Sequence, residues 1–127
     1  QYVSEIDLAF NKLTSLMSLK NLSTLKRLWA PFNLLESFPD DELCNLACLI
    51  ELDLRGNKLK SLPNRFGDMC SLQFLFLQSN ELESLPDSIG QLGLLLDFDC
   101  SFNKLTALPN SIGDLTSLEK VRWRMIS

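Results

Sequence analysis

Two pairs of carboxylates have a spacing that catalysis can use: Glu51 with Asp53, and Asp97 with Asp99. Residues two apart on a strand share a face, and a glycosidase works with two carboxylates about 5–9.5 Å apart. Calcium ligation by the same acids would need six or more oxygens converging. The other reactive groups are four cysteines, Cys44, Cys48, Cys70 and Cys100. Cys44 and Cys48 have the i, i+4 spacing of one helical face, yet a zinc site needs four ligands close together. The chain contains no histidine. That removes Ser-His-Asp and Cys-His catalysis, histidine general-base chemistry and most zinc sites. A carboxylate pair becomes catalytic only where a pocket raises one pKa and excludes water, so the elements that carry the pairs decide their role.

Those elements repeat. Leucine fills 29 of the 127 positions, a bias that signals either a membrane span or an array. No apolar run approaches the roughly 20 residues of a membrane helix; the longest, Leu92 to Leu96, contains Gly93 and ends at Asp97. Units begin at Val3, Leu25, Leu49, Leu72, Leu95 and Leu118, in steps of 22, 24, 23, 23 and 23 residues. A full unit reads LxxLxLxxNxL followed by an apolar residue three positions on. The third shows it best, with Leu49, Leu52, Leu54, Asn57, Leu59, Leu62 and Pro63.

LxL is a period-two pattern, so each unit offers one short strand with alternate residues inward. Pro and Gly punctuate the return path. A unit of this size cannot bury its leucines alone, and stacking makes one continuous core beneath a parallel sheet. Return segments pack less tightly than strands, so the sheet lies on the concave side. Asn11, Asn33, Asn57, Asn80 and Asn103 fall at the turn after each strand. There an amide side chain serves backbone groups that would otherwise be buried unpaired.

The pattern resembles the leucine-rich repeat family along the whole chain. Leu85-Pro86-Asp87-Ser88-Ile89-Gly90-Gln91-Leu92 and Leu108-Pro109-Asn110-Ser111-Ile112-Gly113-Asp114-Leu115 look like the LPxxIGxL convex side of one subgroup. That subgroup includes intracellular scaffolds of the Ras-pathway and Scribble/Erbin type and Roco proteins. Met17 departs from it by replacing Pro in the first unit. The resemblance implies an α/β leucine-rich repeat solenoid: a right-handed curved horseshoe with a parallel concave sheet and short helical, 3-10 or irregular convex segments. Residues 1–127 are expected to form one domain and part of a longer array, with units 3–24, 25–48, 49–71, 72–94, 95–117 and a partial 118–127. Two irregularities stand out. Pro31 in the second strand has no ladder donor and Ala30 little volume, so a local distortion is expected there. Trp123 replaces an inward leucine, which fits either a closing strand or a segment foreign to the array.

Function in such an array is read from the outward strand positions, whose columns run about 4.8 Å apart per strand. The central column is Asp7, Trp29, Asp53, Phe76, Asp99 and Arg122; the one before it is Glu5, Arg27, Glu51, Phe74, Asp97 and Lys120. Ala9, Pro31, Arg55, Gln78, Ser101 and Arg124 follow the centre. Outward aromatics are not needed for the core, and Trp and Phe are enriched at interface centres. The candidate partner-binding set is therefore Trp29, Phe74, Phe76, Asp7, Glu51, Asp53, Arg55, Asp97 and Asp99. Phe10, Phe32 and Phe102 precede the Asn turn and are expected to stack as a partly buried spine. An open concave sheet provides no pocket for either carboxylate pair, so no enzyme activity, metal or cofactor is expected.

A non-catalytic protein-recognition module, an adaptor or scaffold, is the expectation. The resemblance implies intracellular signalling with a small GTPase or phosphatase, and the face itself suits a basic segment bearing apolar anchors. The net charge of −4 argues against nucleic acid, whose phosphates require clustered Lys and Arg. The segment Gln1 to Glu5 lacks the basic and apolar regions of a signal peptide. The four cysteines lie inside the array rather than at its ends, the pattern of reduced thiols in the cytoplasm. The Asn21-Leu22-Ser23 sequon points instead to an extracellular ligand-sensing receptor.

Overall fold

The computed structural model describes residues 3–16, 19, 21–38 and 41–123. Met17, Arg124 and the rest of the sixth unit beyond Trp123 lie outside the described residues. Each unit contributes one strand: β1 Glu5–Asp7, β2 Arg27–Trp29, β3 Glu51–Asp53, β4 Phe74–Phe76, β5 Asp97–Asp99 and β6 Lys120–Arg122. They form one parallel sheet in sequence order. Ile6, Leu28, Leu52, Leu75, Phe98 and Val121 stand in register as its inward row.

The strands end early because the chain must turn. The residue before each turn asparagine, Asn11, Asn33, Asn57, Asn80 and Asn103, adopts a left-handed conformation, at Phe10, Phe32, Gly56, Ser79 and Phe102, with φ between 55° and 69°. That conformation costs a non-glycine residue about 1–2 kcal/mol, and the Asn side chains offset it. Asn57 Nδ2 donates to the carbonyls of Ala30 and Leu54, both at 3.0 Å, while its Oδ1 accepts the Leu35 amide at 3.1 Å. Asn33, Asn80 and Asn103 repeat the arrangement and accept the Leu13, Leu59 and Leu82 amides. Each of these amides thus bonds across to the Asn of the next unit. Asn11 is exposed and only donates, to Leu8 and Ala9.

Short 3-10 turns carry the return path at Asp41–Asn45, Phe66–Asp68, Asp87–Gln91 and Asn110–Asp114. They stack closely through a glycine column. A Cβ on Gly67 would sit 2.1 Å from the Ser88 carbonyl oxygen, and one on Gly90 would sit 2.5 Å from that of Ser111. Gly113 has nothing within 4 Å of that position. Between sheet and turns lies one core, in which Leu49, Leu52, Leu54, Leu72, Leu75, Leu77 and Phe98 are fully buried. Each such side chain contributes about 1.5–3 kcal/mol by leaving water. Trp123 packs partly buried at the margin of this core.

The expected distortion at Pro31 is absent. The Ala30 amide bonds to the Asp53 carbonyl and the Phe32 amide to the Arg55 carbonyl, both at 2.9 Å, and the Pro31 carbonyl accepts from Phe10. Parallel ladders use alternate residues along a strand. Pro31 falls at a position whose amide takes no part, so its missing N–H costs nothing.

Candidate functional site

The amide that Pro31 lacks accounts for the aspartates of the central column. In the first, third and fifth units this amide belongs to Ala9, Arg55 and Ser101, and it points at the face. An aspartate two residues earlier accepts it each time: Asp7 Oδ1 at 3.0 Å, Asp53 Oδ1 at 3.2 Å and Asp99 Oδ1 at 3.0 Å. Asx turns of this kind are a standard use of aspartate. Where proline removes the donor, the same column is free to carry Trp29. Phe76 occupies it in the fourth unit. Acids and aromatics therefore alternate across the sheet, Asp7, Trp29, Asp53, Phe76 and Asp99, in direct register.

The column before it is tied in by side chains. The Trp29 indole Nε1 donates to Glu51 Oε2 at 2.7 Å. Arg27 lies between Glu5 at 3.5 Å and Glu51 at 3.7 Å. Arg122 closes over the far acids, with Nε on Asp99 Oδ2 at 3.0 Å and a terminal nitrogen on Asp97 Oδ1 at 3.1 Å. Arg55 Nε approaches Asp53 Oδ2 at 3.5 Å, and its guanidinium carbon stands 5.6 Å from the centre of the Phe32 ring. Trp29, Phe74 and Phe76 are half-buried, as are Glu51, Arg55 and Asp97.

Two of the candidate residues are not open as their outward direction implied. Asp53 is 6% exposed and Asp99 7%, because side chains of neighbouring columns fold over them. Burial raises the Asp53 carboxyl, outweighing the Arg55 amide and guanidinium, and the charges of Glu51 and Asp7 add to the rise. Burial pushes Asp99 the same way, but the Ser101 hydroxyl and amide and the Arg122 guanidinium outweigh it and hold the carboxyl low. Asp7 is exposed. Beside it a trough of about 430 Å³ is lined by Trp29, Phe76, Phe10, Ala9 and Pro31, among others.

Among the described residues, the aromatics before the Asn turns stack only at Phe10 and Phe32, and they are more exposed than the partly buried spine expected. Phe10 is 75% exposed, Phe102 69% and Phe32 43%, because the left-handed backbone turns these side chains outward. Phe10 and Phe32 stack with ring centres 4.9 Å apart, and the Phe32 ring lies over the bare Cα of Gly56. This rim was hidden in the sequence, although the recurring residue before Asn was its only available sign. Among the described residues, no group of three His, Cys, Asp or Glu side chains could hold a metal ion. No helix among them is long and apolar enough to cross a membrane. Cys44 and Cys100 are buried, whereas Cys48 and Cys70 are exposed on the return path. Burial, with the charge of Asp99, pushes the Cys100 thiol up to about 12.

Comparison with known proteins agrees with this architecture. The family profile described as a leucine-rich repeat region matches residues 4–127. No curated protein matches the chain. A leucine-rich repeat protein of Leptospira interrogans superposes with a TM-score of 0.87 at 36% identity, covering 98% of this chain. The leucine-rich repeat ectodomain of the plant membrane receptor kinase GASSHO1/SCHENGEN3 from Arabidopsis thaliana, in complex with Casparian strip integrity factor 2, gives 0.84 at 31% identity over 96%. An internalin from Listeria monocytogenes shares the fold, with a TM-score of 0.75 at 23% identity over 92%. The chain spans 33%, 16% and 34% of these three structures, respectively.

Proposed function

The chain belongs to the leucine-rich repeat family, and from that premise we propose that it is a non-catalytic recognition module that binds a protein partner on its concave face. The observation that carries the reading is the trio Trp29, Phe74 and Phe76. They project from the sheet, away from the core, and remain half-buried rather than covered. Half-exposed aromatics amid charge are what a binding hot spot is made of. Trp29, Phe74 and Phe76 act as anchors in this reading, while Asp7, Glu51 and Asp97 attract a basic partner segment. Asp53 and Asp99 work mainly from beneath, holding Arg55 and Arg122 in place. The carboxylate pairs have no catalytic part, since Arg122 clamps one and Glu51 of the other is occupied by the Trp29 indole.

We place the module in the cytoplasm, as a signalling scaffold of the LPxxIGxL type. The dispersed cysteines support this, because the two exposed thiols, Cys48 and Cys70, sit along the return path and not in a terminal cluster. A small GTPase or a phosphatase is the partner class that the subgroup resemblance suggests. A second reading, an extracellular ligand sensor, is favoured by the exposed Asn21 of the sequon and by the likeness to a receptor ectodomain.

Selection of peptides from a random library tests the binding reading, with ligands re-measured on folded Trp29→Ala and Phe76→Ala variants. Each substitution is expected to cost about 2 kcal/mol or more at a true hot spot. Ligands that bind both variants like the wild type would remove the concave face from consideration.

A further inference from the structure

The array contains the same carboxylate three times, and two of the copies hold a guanidinium. Asp7, Asp53 and Asp99 are equivalent in their units, and in each Oδ1 is used by the amide two residues on. That leaves Oδ2. On Asp53 it faces Nε of Arg55 at 3.5 Å, and on Asp99 it faces Nε of Arg122 at 3.0 Å. The two arginines arrive differently, Arg55 from the turn after the aspartate's own strand and Arg122 from the next strand, so the recurrence belongs to the site and not to one connecting segment. Asp7 has an alanine, Ala9, where Asp53 has Arg55, and a tryptophan, Trp29, where Asp99 has Arg122. No cation of the described residues pairs with it.

What surrounds Asp7 suits the missing group. The trough beside it is lined by the aromatic Trp29 and Phe10 and by the short side chains of Ala9 and Pro31. Planar guanidinium stacks on aromatic faces and pairs with carboxylate edges more readily than ammonium does. Within the trough Asp7, Glu51 and Asp53 face one cation, Arg55, so the local charge is negative before a ligand enters.

We propose that the Asp7 trough is a subsite for an arginine side chain of a bound protein or peptide, completing from outside the pair that Arg55 and Arg122 complete from within. The proposal rests on the concave-face reading and specifies one of its contacts. The guanidinium Nε meets Asp7 Oδ2, its plane stacks against Trp29, and the aliphatic stem lies over Pro31.

The indole N–H resonance of Trp29, distinguished from that of Trp123 by Trp29→Phe, reports on the trough. The probe is the blocked tripeptide acetyl-Gly-Arg-Gly-amide, with the same peptide carrying citrulline as the uncharged isostere. A saturable shift is expected with the arginine peptide, and binding roughly tenfold or more weaker with citrulline. Asp7→Asn keeps an oxygen for the Ala9 amide and so preserves the turn, yet it should weaken arginine binding by a similar factor. Ala9→Arg places a guanidinium where Arg55 stands relative to Asp53, and should fill the site in cis and block the peptide. No saturable shift in the wild type, equal shifts from both peptides, or unchanged binding by either variant would overturn the subsite. Library ligands that lack arginine still depend on Trp29 and Phe76 if only the subsite is wrong; if they too ignore those aromatics, the concave-face reading fails with it.

Discussion

Replacing Asn57 by alanine removes four hydrogen bonds, to the carbonyls of Ala30, Leu54 and Arg55 and from the amide of Leu35. They are not equal in consequence. The Ala30 carbonyl keeps a second donor in Asn33, and the Leu54 carbonyl keeps one in Asn80. The Leu35 amide has no such reserve, and Leu35 is fully buried. An orphaned buried donor costs about 1–3 kcal/mol, and three carbonyls each losing one of two donors, that of Arg55 keeping the Phe32 amide, add a smaller amount. The sum is about 2–4 kcal/mol. Asn11→Ala is the internal control: Asn11 is exposed, and the Leu8 carbonyl it serves is also served by Asn33. Its loss should stay below about 1 kcal/mol. Lys58→Ala, an exposed neighbour, should change stability by no more than about 0.5 kcal/mol. Urea midpoints measured with an unchanged slope give these differences. If Asn57→Ala and Asn11→Ala lose the same small amount, the Asn side chains do not support the stack as argued.

Three further outcomes follow from the packing and the charges. Gly90→Ala should lose about 1–3 kcal/mol through its clash with the Ser111 carbonyl, whereas Gly113→Ala, with open space around it, should be neutral or slightly stabilising; equal losses would dismiss the glycine-column account. Asp99 is held low in the folded state, so its contribution is complete above the ordinary carboxylate value and is lost as pH falls through the lowered one. Asp53 is held high, so its favourable contribution belongs to low pH and disappears as pH rises through the raised value. Asp99→Asn should therefore cost more than Asp53→Asn at neutral pH, with the gap closing on acidification in urea titrations; a gap that ignores pH would refute the assignment. Thiol titration of native protein should find Cys48 and Cys70 reacting quickly and Cys44 and Cys100 only on unfolding, and denatured protein without reductant should yield four thiols. Fewer than four would count against the cytoplasmic placement.

The strands and their register were legible because one constraint, burying LxL against identical neighbours, acts in every unit. Leu52, Leu75 and Phe98 could be aligned from spacing alone. The concave face was legible only in direction. Period two says that Asp53 and Asp99 point outward; it does not say that Arg55 and Arg122 fold back over them, which depends on side chains from other columns. Phe10, Phe32 and Phe102 misled for a backbone reason: the family resemblance suggests a partly buried spine at this position, but the left-handed backbone before Asn turns these side chains outward. At Pro31 the expectation erred by treating every strand amide as a ladder donor. The three aspartate turns were likewise invisible until the amides of Ala9, Arg55 and Ser101 could be seen pointing at the sheet surface.

Concave-face recognition is tested most directly by locating a bound ligand. Amide chemical-shift mapping with a library-selected peptide at saturation compares the two sides of the array in one experiment. The account predicts the largest shifts at Trp29, Asp53, Phe74 and Phe76, with the convex turns at Ile89, Gly90 and Ser111 unmoved. A footprint on the convex turns, with the strand residues silent, would contradict it.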